Sequence, residues 1–286
     1  MNTNPINFRL DRLVSIHLRP SMRRRQRSVR IPILMYHSIS GYQDTEVHPY
    51  YRTGTSLTTF AQQMAYLYNN GYSAIGLNEV SQRLQCDNLP ARCVAITFDD
   101  GFSDFYGHAF PVLAEYRFTA TVFLPTAYIG KTRRSFNDKP CLTWTEVREL
   151  RDMGIAFGSH THTHPQLHAL PAHALERELT TSKKMIEQEL GTAVDSFAYP
   201  FAFPETDSNF KARLSHLLEG AGYTSGVCTT IGRTDRGRSS LFMKRLPVNS
   251  CDDSLLFEAK LIGAYDWIET PQRWLKVAKA WRKRWN

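Results

Sequence analysis

Apolar strand-like runs alternate with helical segments along most of this chain, and that order limits the folds it can adopt. Residues 31–37, IPILMYH, and residues 93–98, CVAITF, are short, apolar and contain β-branched side chains, as buried strands do. The segments between such runs carry apolar residues at helical spacing, and several of them end at a glycine. Strands separated by helices favour an α/β fold with parallel strands.

Length and composition indicate one globular domain. The chain has 286 residues, of which 42% are hydrophobic, and single α/β domains of about 250 residues are common. No stretch approaches the ~18 apolar residues that a membrane span requires. Residues 1–30 hold basic residues on both sides of a very short apolar patch and lack the cleavage pattern of a secretory signal. We therefore expect a cytoplasmic protein, with membrane association as the alternative.

The spacing of the cysteines does not indicate a disulfide framework or a zinc-binding motif. They lie at positions 86, 93, 141, 228 and 251, an odd number at wide spacing and without a C-x-x-C pair. This arrangement fits reduced thiols and excludes a zinc ribbon.

The positive charge of the chain is concentrated at its two ends. The net charge is +8, with one basic cluster at residues 23–30 and another at residues 273–284. Nothing between them resembles a nucleic-acid-binding motif. The sequence therefore predicts no nucleic-acid partner, and anionic lipid, a phosphate-bearing substrate or solubility accounts for the charge better.

Two polar motifs each follow a strand-like run. TFDDG, residues 97–101, places Asp99 and Asp100 after one run, and GSHTHTH, residues 158–164, places three histidines after another. One carboxylate and two imidazoles form a typical ligand set for a catalytic divalent metal. The other carboxylate could then serve as the general base of a metal hydrolase. Read separately, the motifs are a turn after a buried strand and a polar loop.

The spacing of the histidines leaves their roles open. On a helix, His160 and His164 would share a face, whereas in an extended segment His162 would share it too. Pro165 disfavours the α conformation at His164, which argues against regular helix there.

TFDDG, together with H-T-x-x-H followed by Pro-x-Leu, resembles the two metal-site motifs of the polysaccharide deacetylases, the NodB-homology or carbohydrate esterase group. The resemblance runs from about residue 31 to residue 248. It implies a distorted (β/α) barrel and metal-dependent removal of an acyl group from a sugar. It assigns Asp99 as the base and leaves His162 as a variable position. The implied metal is zinc, with cobalt or nickel as alternatives, and its ligands are Asp100, His160 and His164.

The chain departs from the family pattern at two catalytic positions. The family's C-terminal L-x-H histidine is absent, since no histidine follows Val248, and His37 at the end of the first strand is the substitute. This placement resembles the circularly permuted subgroup typified by poly-N-acetylglucosamine deacetylases. The family's R-x-P-Y motif reads AYPF here, so the Phe201 amide can still join the oxyanion hole, while Arg245 is the candidate replacement for the missing arginine.

Taken together, these features predict three regions and one activity. Residues 1–30 form a basic arm with little core, residues 31–250 the deacetylase barrel, and residues 251–286 basic aromatic helices on the barrel or at a membrane surface. The expected substrate is an N-acetylated sugar, oligosaccharide or lipid-linked saccharide, with O-acetyl or formyl groups as variants. The alternatives are an amidohydrolase-type metal barrel, which also uses a His-x-His pair, and a catalytically silent sugar-binding protein.

Overall fold

Seven parallel strands close into a barrel in the computed structural model, which describes residues 9–24, 30–41, 47–85 and 92–274. Each strand pairs with the next one along the chain, and the last pairs with the first. The α/β barrel that the resemblance implied is therefore confirmed. The strands are β1 (Ile33–Tyr36), β2 (Cys93–Phe98), β3 (Thr121–Leu124), β4 (Ala156–Ser159), β5 (Ser196–Ala198), β6 (Ser225–Ile231) and β7 (Met243–Pro247).

Helices cover the outside of this barrel. Several begin at a capping side chain, such as the reciprocal pair of Thr143 and Glu146, and the longest ends at Gly191 in the left-handed conformation. The helices are α1 (Leu10–Arg24), α2 (Leu57–Asn69), α3 (Leu77–Gln85), α4 (Phe110–Glu115, preceded by a π-turn at Phe105–Ala109), α5 (Trp144–Asp152), α6 (Ala172–Leu190), α7 (Ser208–Gly220) and α8 (Ser254–Ile262).

Short elements complete the loops. Ser73–Ala74 adds to the edge of β2, Arg30–Ile31 pairs with Thr234–Asp235, and Ser38–Ile39 pairs with Gly54–Thr55. Ser135–Phe136 and Lys139–Pro140 form an antiparallel hairpin after β3. Single 3₁₀ turns occur at Pro49–Tyr51, Thr126–Tyr128, Leu167–Ala169, Ser240–Phe242 and Asp266–Ile268.

Alternation along the strands separates an inner from an outer face. In β2, Val94, Ile96 and Phe98 join the apolar layer beneath the helices, so Ala95 and Thr97 lie on the opposite, inner face. A small apolar cluster from several strands fills the inside of the barrel, including Ile33, Ala95, Phe123, Val227 and Met243. The C-terminal ends of the strands therefore continue this inner face into the barrel mouth.

The N-terminal part of the described chain differs from the sequence prediction. The segment predicted as a basic arm with little core contains α1, and Arg9, which precedes this helix, is buried together with Asp11 and Ser15 of α1. Leu18 and Met22 pack against α8. The composition of the segment did not indicate a buried helix, because several of the buried side chains are polar. The basic, tryptophan-bearing segment 275–286 lies outside the described residues.

The structure also bears on thiols and on membrane spans. Cys93, Cys141 and Cys228 are buried free thiols and Cys251 is a half-buried one, while Cys86 lies outside the described residues. Within residues 9–24, 30–41, 47–85 and 92–274, no helix combines the length and apolar character that crossing a bilayer would need.

Candidate metal centre and active site

A cavity of about 260 Å³ opens at the C-terminal mouth of the barrel. Three of its polar residues directly follow strands: His37 follows β1, Asp99 follows β2 and His160 follows β4. Each continues the inner-facing alternation of its strand, so the sequence spacing alone aims these side chains into the mouth. The C-terminal face is where barrels of this class carry their functional groups.

Asp100, His160 and His164 converge on one point of the cavity. The Nε2 atoms of the two histidines are 3.2 Å apart. The Asp100 Oδ1 atom lies 3.6 Å from Nε2 of His160 and 3.5 Å from Nε2 of His164. The structure thus brings together the three residues that the resemblance assigned as metal ligands.

These atoms have the spacing and the protonation that a metal ion requires. Ligand atoms about 2.1 Å from a tetrahedral ion lie about 3.4 Å apart, which matches the three separations. His160 Nδ1 lies 2.8 Å from the Ala198 carbonyl oxygen, so Nδ1 carries the proton and donates it there, leaving the Nε2 lone pair free. Burial lowers the pKa of His160 to about 4 and that of His164 to about 3, so both rings are neutral near pH 7. The donor set therefore fits a divalent metal.

The Asp99 carboxylate is held by a buried arginine. Arg245, from the inner face of β7, donates from its two terminal nitrogens to the two carboxylate oxygens at 2.6 and 2.7 Å. The same guanidinium donates to Thr97 Oγ1 and to the Cys228 carbonyl oxygen. Burial alone would raise the pKa of Asp99, but Arg245 outweighs it and holds that pKa well below its usual value. Asp99 is therefore ionised and fixed in orientation.

His37 lies on the other side of Asp99. Its Nε2 atom is 4.0 Å from Asp99 Oδ2, and its side chain is 19% exposed, toward the cavity. Burial lowers the pKa of His37 to about 4, although the Asp99 carboxylate opposes this shift. The resting imidazole is therefore neutral. The Tyr36 side chain, beside it in the chain, lies in the apolar core, and its hydroxyl donates to Gln63.

The histidine loop is neither helix nor strand. Thr161 and His164 both adopt left-handed backbone conformations, with φ of 68° and 57°, which is uncommon outside glycine and unfavourable for a β-branched threonine. The Thr161 hydroxyl accepts a hydrogen bond from the His164 amide. His162 turns away from the cluster and its ring bonds to Thr126. The His160–His162 pair expected of an amidohydrolase is thus not assembled.

Phe201, in the AYPF segment after β5, also has a left-handed backbone, with φ of 59°. Its side chain lines the cavity and its ring centroid lies 4.7 Å from that of His164. Thr229 of β6 holds this turn, since its hydroxyl donates to the Phe201 carbonyl and accepts from the Phe203 amide. The turn therefore keeps the Phe201 backbone at the rim of the site.

Sequence reasoning missed two kinds of residue around the site. Glu178, from α6, accepts hydrogen bonds from the backbone amides of His162 and Thr163 and so holds the histidine loop. Asn137 and Lys139, from the hairpin after β3, line the cavity. Nothing in the sequence marked these residues as part of the site. Glu178 is one of many charged residues on a long helix, and the hairpin carries no recognisable motif.

Comparison with known proteins gives a family. The family profile described as polysaccharide deacetylase matches residues 87–224. The chain is 32% identical over 229 residues to a Bacillus subtilis protein that carries the name polysaccharide deacetylase YxkH, covering 78% of this chain and 73% of that protein. It is also 32% identical over 132 residues to the poly-β-1,6-N-acetyl-D-glucosamine N-deacetylase of Staphylococcus epidermidis, but there it spans only 44% of the relative.

Solved structures agree with this result. The Streptococcus pyogenes deacetylase PplD, determined in complex with acetate, superposes with a TM-score of 0.70 at 26% identity, covering 82% of this chain and 99% of that one. The structure of IcaB from Ammonifex degensii shares the fold, with a TM-score of 0.65 at 22% identity and coverage of 82% and 97%. By fold, motifs and sequence, the chain belongs to the polysaccharide deacetylase family.

Proposed function

We propose that this protein is a metal-dependent hydrolase that removes N-acetyl groups from a carbohydrate. The observation that carries the proposal is the arrangement at the barrel mouth, where a three-atom ligand set lies beside an ionised carboxylate that an arginine holds in place. This arrangement separates metal binding from proton transfer, as a metal hydrolase needs. A catalytically silent sugar-binding protein would have no use for it.

Asp100, His160 and His164 would hold the metal. Bound there, a divalent ion would lower the pKa of a water molecule and polarise the acyl carbonyl. Two imidazoles and one carboxylate suit zinc, and cobalt and nickel accept the same donors. Burial and the neighbouring Asp99 raise the pKa of Asp100 to about 7, an unfavourable environment for a bare carboxylate that a cation would relieve.

Asp99 would take the proton from the attacking water. It is ionised, and its bidentate contact with Arg245 fixes the direction of its oxygens. The water oxygen then bonds to the acetyl carbon, and the negative charge that develops on the carbonyl oxygen needs a donor. We assign the Phe201 backbone N–H to that role, because its turn lies at the rim of the cavity.

His37 would protonate the departing amine when the carbon–nitrogen bond breaks, leaving acetate and a free amino sugar. A neutral imidazole must first receive a proton, and Asp99, whose Oδ2 lies 4.0 Å from His37 Nε2, is the nearest carboxylate to supply it. The low resting pKa of His37 makes its protonated form a strong acid.

The relatives suggest the kind of substrate. Those from Staphylococcus are named as deacetylases of poly-β-1,6-N-acetyl-D-glucosamine, and an N-acetylated hexosamine polymer or oligomer is accordingly the proposed substrate. A lipid-linked saccharide is the variant, for which the basic segment 275–286 could provide contact with anionic lipid.

An acetate-release assay tests this function. N-acetylglucosamine, its oligomers and an O-acetylated sugar would be incubated with the protein before and after chelation, then after addition of zinc, cobalt or nickel. We expect acetate release to disappear on chelation and to return with metal. Activity that survives complete chelation, or the absence of acetate from every substrate with the metal-loaded protein, would contradict the proposal.

A further inference from the structure

Helix α6 is bonded to the histidine loop, residues 160–164, through two residues one turn apart. Glu178 and Ser182 are separated by four positions, so their side chains lie on the same face of α6. The Glu178 Oε2 atom accepts hydrogen bonds from the His162 and Thr163 amides, each at 2.8 Å. Its Oε1 atom accepts a third from the Thr163 hydroxyl at 2.7 Å. One carboxylate on the helix thus binds three donors of the loop.

Ser182 supports the beginning of the same loop. It is fully buried, and its hydroxyl accepts a hydrogen bond at 2.8 Å from the hydroxyl of Ser159, the last residue of β4. The Ser159 hydroxyl in turn accepts from the Thr161 amide at 3.1 Å. Thr161 is left-handed, with φ of 68°, and a threonine keeps this conformation only where its surroundings impose it. The second contact of α6 therefore supports the turn between His160 and His164.

The loop after β3 holds the carbonyl groups of the histidine loop. The Thr126 amide donates to the Thr161 carbonyl oxygen at 3.2 Å. The Ala127 amide donates to the His162 carbonyl oxygen at 2.8 Å. Protein groups also pair the three amides of residues 161–163. These bonds can therefore hold the loop in its observed conformation before a metal ion binds.

The two histidines of the proposed ligand set differ in how their rings are held. Metal-binding histidines generally donate their second ring nitrogen to a partner that fixes the ring. His160 does so through its Nδ1 atom, which donates to the Ala198 carbonyl oxygen. The Nδ1 atom of His164 is buried and has no hydrogen-bond partner among the described residues. The position of His164 Nε2 therefore depends on the backbone of the loop and on contacts with the Phe136 and Phe201 rings.

We infer that Glu178 and Ser182 are positioning residues for the proposed metal site. They hold the loop so that Nε2 of His164 lies 3.2 Å from Nε2 of His160, and they thereby set the affinity of the site for its ion. This inference rests on the proposed function and assigns a role in it to two residues outside the ligand set. An ordered ligand set binds its ion more tightly, since binding then has to order fewer groups. Loosening the loop should therefore weaken metal binding even though all three ligands remain.

Zinc affinity, measured by competition with a coloured chelator, tests this role. We expect Glu178→Ala to weaken zinc binding by about 10–100-fold, the usual contribution of a partner that holds metal ligands in place. Glu178→Gln should bind zinc more tightly than Glu178→Ala, because its oxygen can accept from both amides and its NH₂ group can donate to the Thr163 hydroxyl. The matched control is Glu176→Ala, which removes an exposed carboxylate of the same helix and should leave the zinc Kd unchanged.

Ser182→Ala is the milder variant, and it keeps the test available if Glu178→Ala does not fold. It removes one hydrogen bond and should raise the zinc Kd by a smaller factor than Glu178→Ala. Thermal unfolding gives a second readout. Zinc should raise the Tm of the wild type more than that of either alanine variant, because the stabilisation by a bound ion grows with its affinity.

The possible failures are distinguishable. A wild-type zinc Kd in Ser182→Ala and in every folded Glu178 variant would overturn the positioning role and leave the proposed function standing, whatever the change in the Tm of the metal-free protein. A wild-type protein that binds neither zinc, cobalt nor nickel would overturn the metal dependence of the proposed function and the positioning role with it.

Discussion

Asp99 and Asp100 are neighbours in the chain, yet their surroundings give them opposite properties. Burial raises the pKa of both, but at Asp99 the interactions with Arg245, joined by those with His160 and His37, hold the pKa well below its usual value, so the resting carboxyl group is ionised. At Asp100 the charge of Asp99 adds to the burial and raises the pKa to about 7. The left-handed backbone at Asp100, with φ of 71°, turns its side chain toward the histidines. Two identical side chains thereby acquire different properties, which suits the base and ligand roles proposed for them.

Metal content should depend on Asp100, His160 and His164 but not on His162. Alanine at each of the first three removes one atom of the ligand set, whereas the His162 ring bonds to Thr126 outside it. Bound metal measured by elemental analysis would distinguish the two classes. His162→Ala is the matched control, and a loss of metal equal to that of His160→Ala would contradict the ligand assignment.

Asp99→Asn should keep its metal and lose turnover, because an amide cannot take the proton from water. It should also lower the free energy of unfolding by up to about 3–5 kcal/mol, since it leaves the buried Arg245 guanidinium without its counter-charge. The folded pKa of Asp99 is depressed, so the pair stabilises the fold above pH ~4 and loses this effect as pH falls through the folded pKa. Urea denaturation and acetate release measure the two effects.

Arg245→Lys is the companion variant to Asp99→Asn. It keeps the positive charge but cannot reproduce the two parallel hydrogen bonds. It should therefore retain most of the stability and lose part of kcat with little change in KM. Turnover at the wild-type rate would show that Arg245 does not position the base.

His37→Ala should retain metal and substrate affinity but lower kcat by roughly 10²–10⁴, the usual contribution of a positioned acid. The loss should be smaller on an activated acetate ester, whose leaving group needs little protonation. The comparison of amide and ester rates makes the measurement specific. Equal losses on both would show a structural role for His37.

At this scale the sequence predicted side chains better than backbone. His37, Asp99 and His160 directly follow strands, so the alternation of side chains placed them correctly at the barrel mouth. This chain has Ala198 where the family motif has an arginine, and the contact of Arg245 with Asp99 fits the prediction that Arg245 replaces it. The left-handed turns at Thr161 and Phe201 could not be read from the chain. They depend on a hydrogen bond that the Ser159 hydroxyl accepts from the Thr161 amide and on one that the Thr229 hydroxyl donates to the Phe201 carbonyl, and both exist only once the strands are in place.

Helices α1 and α8 show how a search for apolar residues can miss the buried side of a helix. Arg9 donates to Asp11 and Asp252, Lys260 donates to Asp252 and to the Pro247 carbonyl at the end of β7, and the Tyr265 hydroxyl donates to Asp11. These groups are buried in contact with one another, and they belong to the two helices or to residues next to them. A sequence reading that searches for apolar stripes assigns such residues to the surface, since charged side chains are seldom buried unless they are paired.

Asp252→Ala should lower the free energy of unfolding by about 3–5 kcal/mol, because Lys260 would remain buried without its carboxylate partner and Arg9 would keep only Asp11. Urea denaturation followed by circular dichroism gives the value. The matched control is Glu79→Ala, which removes an exposed pair with Arg83 on α3 and should change stability by less than about 1 kcal/mol. Equal effects of the two substitutions would show that the buried cluster adds no stability.

At the scale of the whole molecule, the order of strands and helices was the most predictable property. The apolar runs at residues 31–37 and 93–98 contain β1 and β2, because runs this short and this apolar fit a sheet that is buried on both faces. Closure into a barrel did not follow from those runs and came from the family resemblance.

Pairing between β7 and β1, through Leu246 and Leu34, has a kinetic consequence. During synthesis β1 leaves the ribosome first and must wait for almost the whole barrel sequence before its last neighbour exists. Until then the growing sheet has two open edges that another chain could join, and Asp99 has no arginine. The last strand therefore completes the fold and the ion pair of the proposed base in one event, so truncated chains should aggregate and be inactive.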